Sequence, residues 1–259
     1  MTPTGDQRAV TLPGGGQMPL LGLGTWHMRG QSGYQAIKHA LTLGYRLLDT
    51  ATMYDNEAEV GRAIRDSGLP REEIFLTTKL PPQNVGRERK TIQESLSALG
   101  TDYVDLWLIH WPPGGASPET WQELLAARQD GLARAVGVSN YSTSQIDELI
   151  EATGQAPAVN QIEWSPSLHD AHRLAEHRDR GVVMEGYSPF KNTDLSDPTL
   201  ADIAAKHQVT PSQVVLRWHL EHGIVAIPKS SRPERQQTNF DVYGFSLSTD
   251  EVAQIDSIT

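Results

Sequence analysis

The chain has 259 residues, with 22 lysines and arginines, 32 aspartates and glutamates, and no cysteine. This length suits one α/β barrel or two small domains, and the net charge of −10 argues against a general binder of nucleic-acid backbones. The lack of cysteine excludes disulfides, thiolate metal sites and cysteine nucleophiles. With no signal-peptide pattern and no apolar stretch near the roughly 20 residues that span a bilayer, the sequence predicts a cytoplasmic protein without nucleic-acid or membrane partners.

Short apolar runs alternate with amphipathic segments along the whole chain. Residues 9–12 and 17–19 flank a glycine turn and predict an N-terminal β-hairpin. Eight further runs are short and apolar enough for strands that are buried on both faces. They are residues 20–23, 46–48, 74–78, 104–109, 133–138, 158–162, 182–186 and 224–227.

Helical patterns lie between these runs, with apolar residues three or four positions apart. Ser142 and Thr210 are typical N-caps, and glycines such as Gly44 follow the predicted ends. The predicted helices are residues 33–43, 57–67, 87–99, 118–128, 143–153, 170–179, 211–222 and 249–258. Eight strand–helix repeats without a linker favour one (β/α)8 TIM barrel, spanning residues 1–259, over a doubly wound sheet.

Polar residues follow nearly every predicted strand, and active sites of such barrels lie at the carboxyl ends of the strands. Asp49, Tyr54, Lys79 and His110 follow three successive strands, so we expect them in one part of the rim. A phenol is a poor acid at neutral pH unless a cation stabilises the phenolate. Lys79 can supply that cation, Asp49 can hold the ammonium, and His110 can orient a carbonyl. This arrangement predicts a general acid for a developing alkoxide.

Each of these residues also has an ordinary structural interpretation. Asp49 could cap a helix, Lys79 could be a surface lysine, Tyr54 a core aromatic and His110 a structural histidine. Taken together within a longer pattern, the four residues favour the catalytic interpretation.

That longer pattern resembles the aldo-keto reductase family, and within it bacterial members of the 2,5-diketo-D-gluconate reductase type. The resemblance rests on GYRLLDTA at 44–51, TTKL at 77–80, the run 102–112, GVSN at 137–140, VNQIE at 159–163 and IPKS at 227–230. It spans residues 12 to 258 and implies NADPH-dependent reduction of aldehydes or ketones. By this resemblance, Tyr54 would be the general acid, and Lys79 and Asp49 would adjust the pKa of its phenol. His110 would orient the carbonyl, and the nicotinamide would supply the hydride.

No Rossmann glycine motif opens a helix in this sequence. A barrel can still bind a dinucleotide along its rim, and the resemblance implies a cofactor site there. It implies carboxamide contacts, a stacking Tyr187, and a basic cluster at Lys229 and Arg235 that suits the 2′-phosphate of NADPH. The implied cofactor-binding residues are Gly24, Thr25, Trp26, Asp49, Ser139, Asn140, Gln161, Tyr187, Ser188, Pro189, Phe190, Ile227, Lys229, Ser230, Arg235 and Asn239. An NADH-preferring reductase stays open.

The expected substrate pocket is apolar with a few polar groups. Its predicted residues are Trp26, Met53, Tyr54, His110 and Trp111, with Trp164 as a further candidate. Three departures from the family pattern bear on it: Thr238, Ser165 and a short C-terminal segment. We expect short substrate loops, an open pocket and a broad range, with diketo-sugar acids, dicarbonyls and aromatic aldehydes all compatible.

Two alternatives to the reductase remain. The barrel could bind a nicotinamide cofactor as a sensing or regulatory module with little turnover. A hydrolase is the weaker alternative, since the rim shows no matched carboxylate pair.

The histidine pairs at 169/172 and 219/222 lack a third matched ligand, so no metal site is predicted. The family resemblance favours a monomer.

Overall fold

A computed structural model describes residues 9–258 of the chain. The predicted hairpin is confirmed: β1 (Ala9–Thr11) pairs antiparallel with β2 (Gln17–Pro19). Leu12 and Met18 are buried, and Leu12 and Pro19 lie beside the starts of barrel strands at Phe75 and Ala135, so the hairpin covers the end of the barrel opposite the strands' carboxyl ends.

Eight parallel strands follow in sequence order around the barrel. They are β3 (Leu23–Gly24), β4 (Leu47–Asp49), β5 (Phe75–Leu80), β6 (Val104–Ile109), β7 (Ala133–Ser139), β8 (Val159–Glu163), β9 (Val183–Tyr187) and β10 (Val225–Ala226). A parallel bridge between Leu21 and Ala226 joins the first strand to the last and closes the barrel. The Gly22 amide donates to the carbonyl of Ala226 at 2.9 Å across this seam. The predicted (β/α)8 class is confirmed.

Helices connect the strands and surround the barrel. They are α1 (Gly30–Leu43), α2 (Glu57–Ser67), α3 (Glu88–Leu99), α4 (Pro118–Gln129), α5 (Thr143–Thr153), α6 (Ala171–Asp179), α7 (Pro198–His207), α8 (Pro211–Glu221), α9 (Pro233–Phe240) and α10 (Thr249–Asp256). Ser142 and Thr210 form capping boxes as their sequence positions predicted. The helices α7 and α9 were not predicted from the sequence.

The first barrel strand covers only Leu23–Gly24, whereas the sequence predicted residues 20–23. Just before this strand, the chain packs closely against β4 at Gly22. A Cβ on Gly22 would lie 2.4 Å from the Cγ of Leu47, so only glycine fits against β4. Within residues 9–258, no helix combines the length and apolar character needed to cross a bilayer.

Candidate active site

One cavity of about 450 Å³ opens at the carboxyl ends of the strands. It brings together the predicted catalytic residues Tyr54, His110 and Asp49 with many of the predicted cofactor residues. The lining residues are Gly24, Thr25, Trp26, Asp49, Met53, Tyr54, His110, Trp111, Ser139, Asn140, Gln161, Glu163, Tyr187, Ser188, Lys191, Ile227 and Lys229. Lys79 lies directly beneath this surface and is fully buried.

The ammonium of Lys79 is held by three acceptors inside the barrel. Its Nζ donates to both carboxylate oxygens of Asp49 at 2.6 and 2.8 Å and to the carbonyl of Thr50 at 2.8 Å. An ammonium has three hydrogens, so each has a partner. Burial lowers the pKa of Lys79, but the charge and hydrogen bonds of Asp49, together with nearby Tyr54 and Glu185, more than offset this effect, and the net pKa is raised. Lys79 therefore stays charged beside the cavity.

Tyr54 lies against this cation, at the end of a short 3-10 helix, Thr52–Tyr54. Lys79 Nζ is 5.1 Å from the centroid of its ring, and the His110 ring meets it edge-on at 5.8 Å. Burial raises the pKa of the Tyr54 phenol, while the charge of Lys79 acts in the opposite direction. The phenol thus holds its proton, and Lys79 reduces the cost of releasing it.

His110 follows β6 directly, and its side chain is mostly buried. Burial, and then the charge of Lys79, lower the pKa of His110 from 6.5 to about 3. Its Nδ1 is buried and has no hydrogen-bond partner among the described residues. A neutral imidazole with an unpaired polar atom is therefore present beside the phenol.

This depressed pKa makes the stability of the protein depend on pH. An unfolded histidine takes up a proton as the pH falls through 6.5, whereas folded His110 does so only near pH 3. The unfolded state binds more protons in this window, so we expect the free energy of unfolding to fall on acidification. His110→Gln should remove up to about 1.4 kcal/mol per pH unit from that slope. Urea unfolding at successive pH values measures it, and parallel wild-type and variant curves would contradict the prediction.

Large apolar side chains surround the mouth of the cavity. Trp26, Met53 and Trp111 are 58%, 45% and 46% exposed, and all three line it as predicted. Buried Asn56 fixes the loop that carries Trp26, because its Nδ2 donates to the carbonyls of Thr25 and Met28 at 2.8 and 3.0 Å. The exposed apolar mouth is consistent with a ligand-binding surface.

Amide and hydroxyl groups form the inner wall of the cavity. Ser139 Oγ donates to the carbonyl of Gln161, and Asn140 Nδ2 donates to Ser139 Oγ at 3.0 Å. The Tyr187 hydroxyl donates to Asn140 Oδ1 at 2.9 Å. Asn140 and Ser188 have φ of 62° and 54°, a left-handed conformation that is uncommon for residues other than glycine and often found at functional sites.

Some predicted cofactor residues lie outside this cavity. Ser230, Arg235 and Asn239 belong to the loop after β10 and to α9, while Pro189 and Phe190 follow the cavity residue Ser188. Their roles stay predictions. The placement of Trp164 at the mouth was wrong: its side chain is fully buried in an outer apolar cluster with Leu174 and Trp218.

Three residues at or beside the site were not predicted from the sequence. Glu185 on β9 is fully buried, and its Oε2 accepts from Gln161 Nε2 at 2.8 Å. The sequence signal for Glu185 was an ionisable residue within the apolar run 182–186. Lys191 and Glu163 both line the cavity and form an ion pair at 2.8 Å. Their pairing depends on tertiary structure, so no local pattern indicates it.

The two histidine pairs remain unassigned to any metal. His219 is buried and bonded to the carbonyl of Val215 at 2.8 Å. His169 and His222 instead approach Asp256, and the ligand atoms of these three residues lie within 4.8 Å of one another. Asp256 Oδ1 already accepts from Trp218 Nε1 and pairs with His222 Nε2, at 2.7 and 2.8 Å. These bonds account for the cluster as an anchor for α10.

Comparison with known proteins agrees with the geometry. The sequence model of the aldo/keto reductase family matches residues 20–259. Morphine 6-dehydrogenase of Pseudomonas putida is 43% identical, over 98% of this chain and 92% of the relative. The 2,5-diketo-D-gluconic acid reductase B of a Corynebacterium species is 44% identical, over 92% and 88%. A Bombyx mori aldo-keto reductase solved in complex with NADP has a TM-score of 0.89 at 34% identity, covering 98% of this chain and 93% of that one. The chain belongs to the aldo/keto reductase family.

Proposed function

We propose that the protein reduces aldehydes and ketones to alcohols with NADPH, using Tyr54 as the general acid. The observation that carries this proposal is the buried Lys79–Asp49 pair beside the phenol of Tyr54 and neutral His110, at the wall of one cavity. The family is one of oxidoreductases, and a relative was solved with NADP bound.

The chemistry of the cavity wall fits a nicotinamide cofactor. Ser139, Asn140 and Gln161 offer the hydrogen-bonding groups that a carboxamide needs, and the partly exposed ring of Tyr187 offers a face for stacking. Lys229 adds a cation at the rim, which suits a phosphate.

The mechanism assigns one task to each residue of the site. Bound NADPH supplies the hydride that reduces the carbonyl carbon. His110, as a neutral imidazole, hydrogen-bonds the carbonyl oxygen and orients it towards Tyr54. The Tyr54 phenol gives its proton to that oxygen, and the resulting phenolate is stabilised by the ammonium of Lys79. Asp49 keeps the ammonium charged and in place.

The substrate class follows from the mouth of the cavity. Trp26, Met53 and Trp111 provide apolar surface, and the Lys191–Glu163 pair is the charged group near them. Relatives carry names that refer to a sugar acid and to an alkaloid. We propose that this chain accepts a broad range of carbonyl compounds.

Turnover separates this proposal from a sensing module that only binds the cofactor. The protein is mixed with NADPH and, in turn, an aromatic aldehyde, a dicarbonyl and a diketo-sugar acid, and loss of the absorbance of reduced nicotinamide is followed. We expect turnover with several of them. Binding of NADPH without turnover of any carbonyl would favour the sensing module, and turnover of one substrate alone would contradict a broad range.

Preference for NADPH over NADH depends on the basic cluster at Lys229. We expect Lys229→Ala to weaken NADPH binding roughly tenfold or more, because a charge-assisted hydrogen bond to phosphate is lost, and to leave NADH binding unchanged. Fluorescence titration with each cofactor measures this, and Arg235→Ala tests the second cation in the same way. Lys90→Ala, at an exposed lysine of α3, is the control. Equal losses for the two cofactors would contradict a 2′-phosphate contact.

The assembly state and location belong to the same proposal. We propose a monomer that acts in the cytoplasm on small molecules. Light scattering after size-exclusion chromatography measures the mass in solution, and a stable dimer would contradict the first part.

A further inference from the structure

Glu185 is a buried acid that the proposed mechanism does not use. It lies in the middle of β9, its side chain is fully buried, and it points into the barrel beside the catalytic pair. Gln161 on β8 is its partner in the parallel register, so the two side chains are neighbours on the same face.

Burying this acid costs free energy, and the need to fill space in the barrel does not explain why the residue is an acid. The nearest ammonium, that of Lys79, is already committed to Asp49 and to the carbonyl of Thr50. Glu185 Oε1 is buried and has no hydrogen-bond partner among residues 9–258. An apolar side chain of similar volume would avoid that cost. The presence of an acid at this position therefore needs another explanation.

The explanation lies in the side-chain amide of Gln161. Its Nε2 donates at 2.8 Å to Asp49 Oδ2 and at 2.8 Å to Glu185 Oε2. An amide nitrogen has two hydrogens, both in the amide plane, so two acceptors fix the direction of that plane. Asp49 alone would hold the nitrogen and leave the plane free to turn. With both hydrogens occupied, Gln161 can present only its Oε1, an acceptor, to a ligand in the cavity that it lines.

We propose that Glu185 is a positioning residue, which fixes the amide of Gln161 so that its Oε1 accepts a hydrogen bond from the carboxamide nitrogen of nicotinamide. This inference rests on the proposed cofactor. It adds a specific requirement: Gln161 recognises the N–H group of the carboxamide by accepting its hydrogen bond, and Glu185 sets the orientation of the Gln161 amide.

The protonation state of Glu185 is compatible with this role. Burial, with the charge of Asp49, raises the pKa of Glu185 from 4.5 to about 8. A neutral carboxylic acid still accepts through its carbonyl oxygen, and so does the amide oxygen of glutamine. Glu185→Gln should therefore preserve the orientation of Gln161. Glu185→Met fills similar space without an acceptor and should release the amide.

A cofactor analogue tests the inference by binding alone. The 3-acetylpyridine analogue of NADP+ keeps the carbonyl of the carboxamide but replaces its amino group with a methyl group. Fluorescence titration gives the Kd of each ligand for wild type, Glu185→Met and Glu185→Gln. We expect wild type and Glu185→Gln to bind NADP+ about five- to tenfold more tightly than the analogue, because one hydrogen bond distinguishes the ligands. Glu185→Met should lose most of this discrimination.

The control is Met184→Leu, a change of a buried residue on the same strand that packs in the outer apolar cluster. It should keep the discrimination, and thermal melts confirm that all variants are folded. Equal discrimination by Glu185→Met and wild type would overturn the inference, as would a wild type that binds the two ligands equally. Both results would leave the proposed reductase standing. A wild type that binds neither ligand would overturn the proposed function and this inference with it.

Discussion

Tyr54→Phe is expected to lower kcat for carbonyl reduction by about a hundredfold to ten-thousandfold, the usual contribution of a general acid. The change removes the phenolic proton and leaves the ring that packs against Lys79 and His110. The Kd for NADPH should therefore change little. Steady-state assays of carbonyl reduction and fluorescence titration of the cofactor measure the two quantities separately.

The matched control is Tyr34→Phe. Tyr34 is also largely buried, and its hydroxyl donates to Asp66 at 2.7 Å on the outer helices, away from the cavity. We expect wild-type turnover from this variant. If Tyr54→Phe turned over as fast as Tyr34→Phe, another group would have to supply the proton and the assignment of Tyr54 would fail.

Replacing Lys79 by methionine should affect both catalysis and stability. The buried carboxylate of Asp49 would lose its cation, and breaking a buried ion pair in this way costs about 3 to 5 kcal/mol. Turnover should also be lost, because no ammonium would stabilise the Tyr54 phenolate. Urea unfolding gives the change in the free energy of unfolding, and assays with NADPH give the turnover.

The double variant Asp49→Leu/Lys79→Met separates the two effects. Removing both charges relieves the unpaired carboxylate, so we expect most of the lost stability to return while turnover stays absent. Lys90→Met, at an exposed lysine, should leave both quantities unchanged. A double variant no more stable than Lys79→Met would show that the unpaired charge was not the cause of the loss.

The secondary structure was predictable where local signals were strong. The helices Glu57–Ser67 and Thr143–Thr153 have the predicted bounds, since an apolar stripe and caps coincide there. Several strands extend one or two residues further than predicted, because Lys79, Ser139 and Glu163 pair in the sheet although they are polar. Barrel strands carry the site residues on their last positions, so polarity does not mark where pairing ends.

The helices that were missed have different causes. The sequence of α9, Pro233–Phe240, is almost entirely polar and shows no apolar stripe. The N-cap Asp197 and the apolar residues Leu200 and Ile203 were available signals for α7. They follow the seventh predicted strand, where the repeat pattern calls for one helix and the chain supplies two.

The site was predictable as far as its residues sit in motifs. Tyr54, Asp49 and His110 line one cavity, with Lys79 beneath it, because successive strands bring their ends together. Trp164 follows a strand in the same way, yet its side chain packs outward in the apolar cluster with Trp218. The direction of a side chain beyond a strand end depends on the path of the loop, which the sequence pattern does not specify.

The seam between Leu21 and Ala226 has a consequence for how the chain acquires its structure. The two edges that meet there come from opposite ends of the barrel sequence, so their pairing has a high contact order and is slow to form. Until the eighth strand is synthesised, the first strand exposes unpaired backbone groups that can recruit another chain. Ile227 and Lys229 follow that last strand and line the cavity, so the cavity is completed only after the last barrel strand is in place.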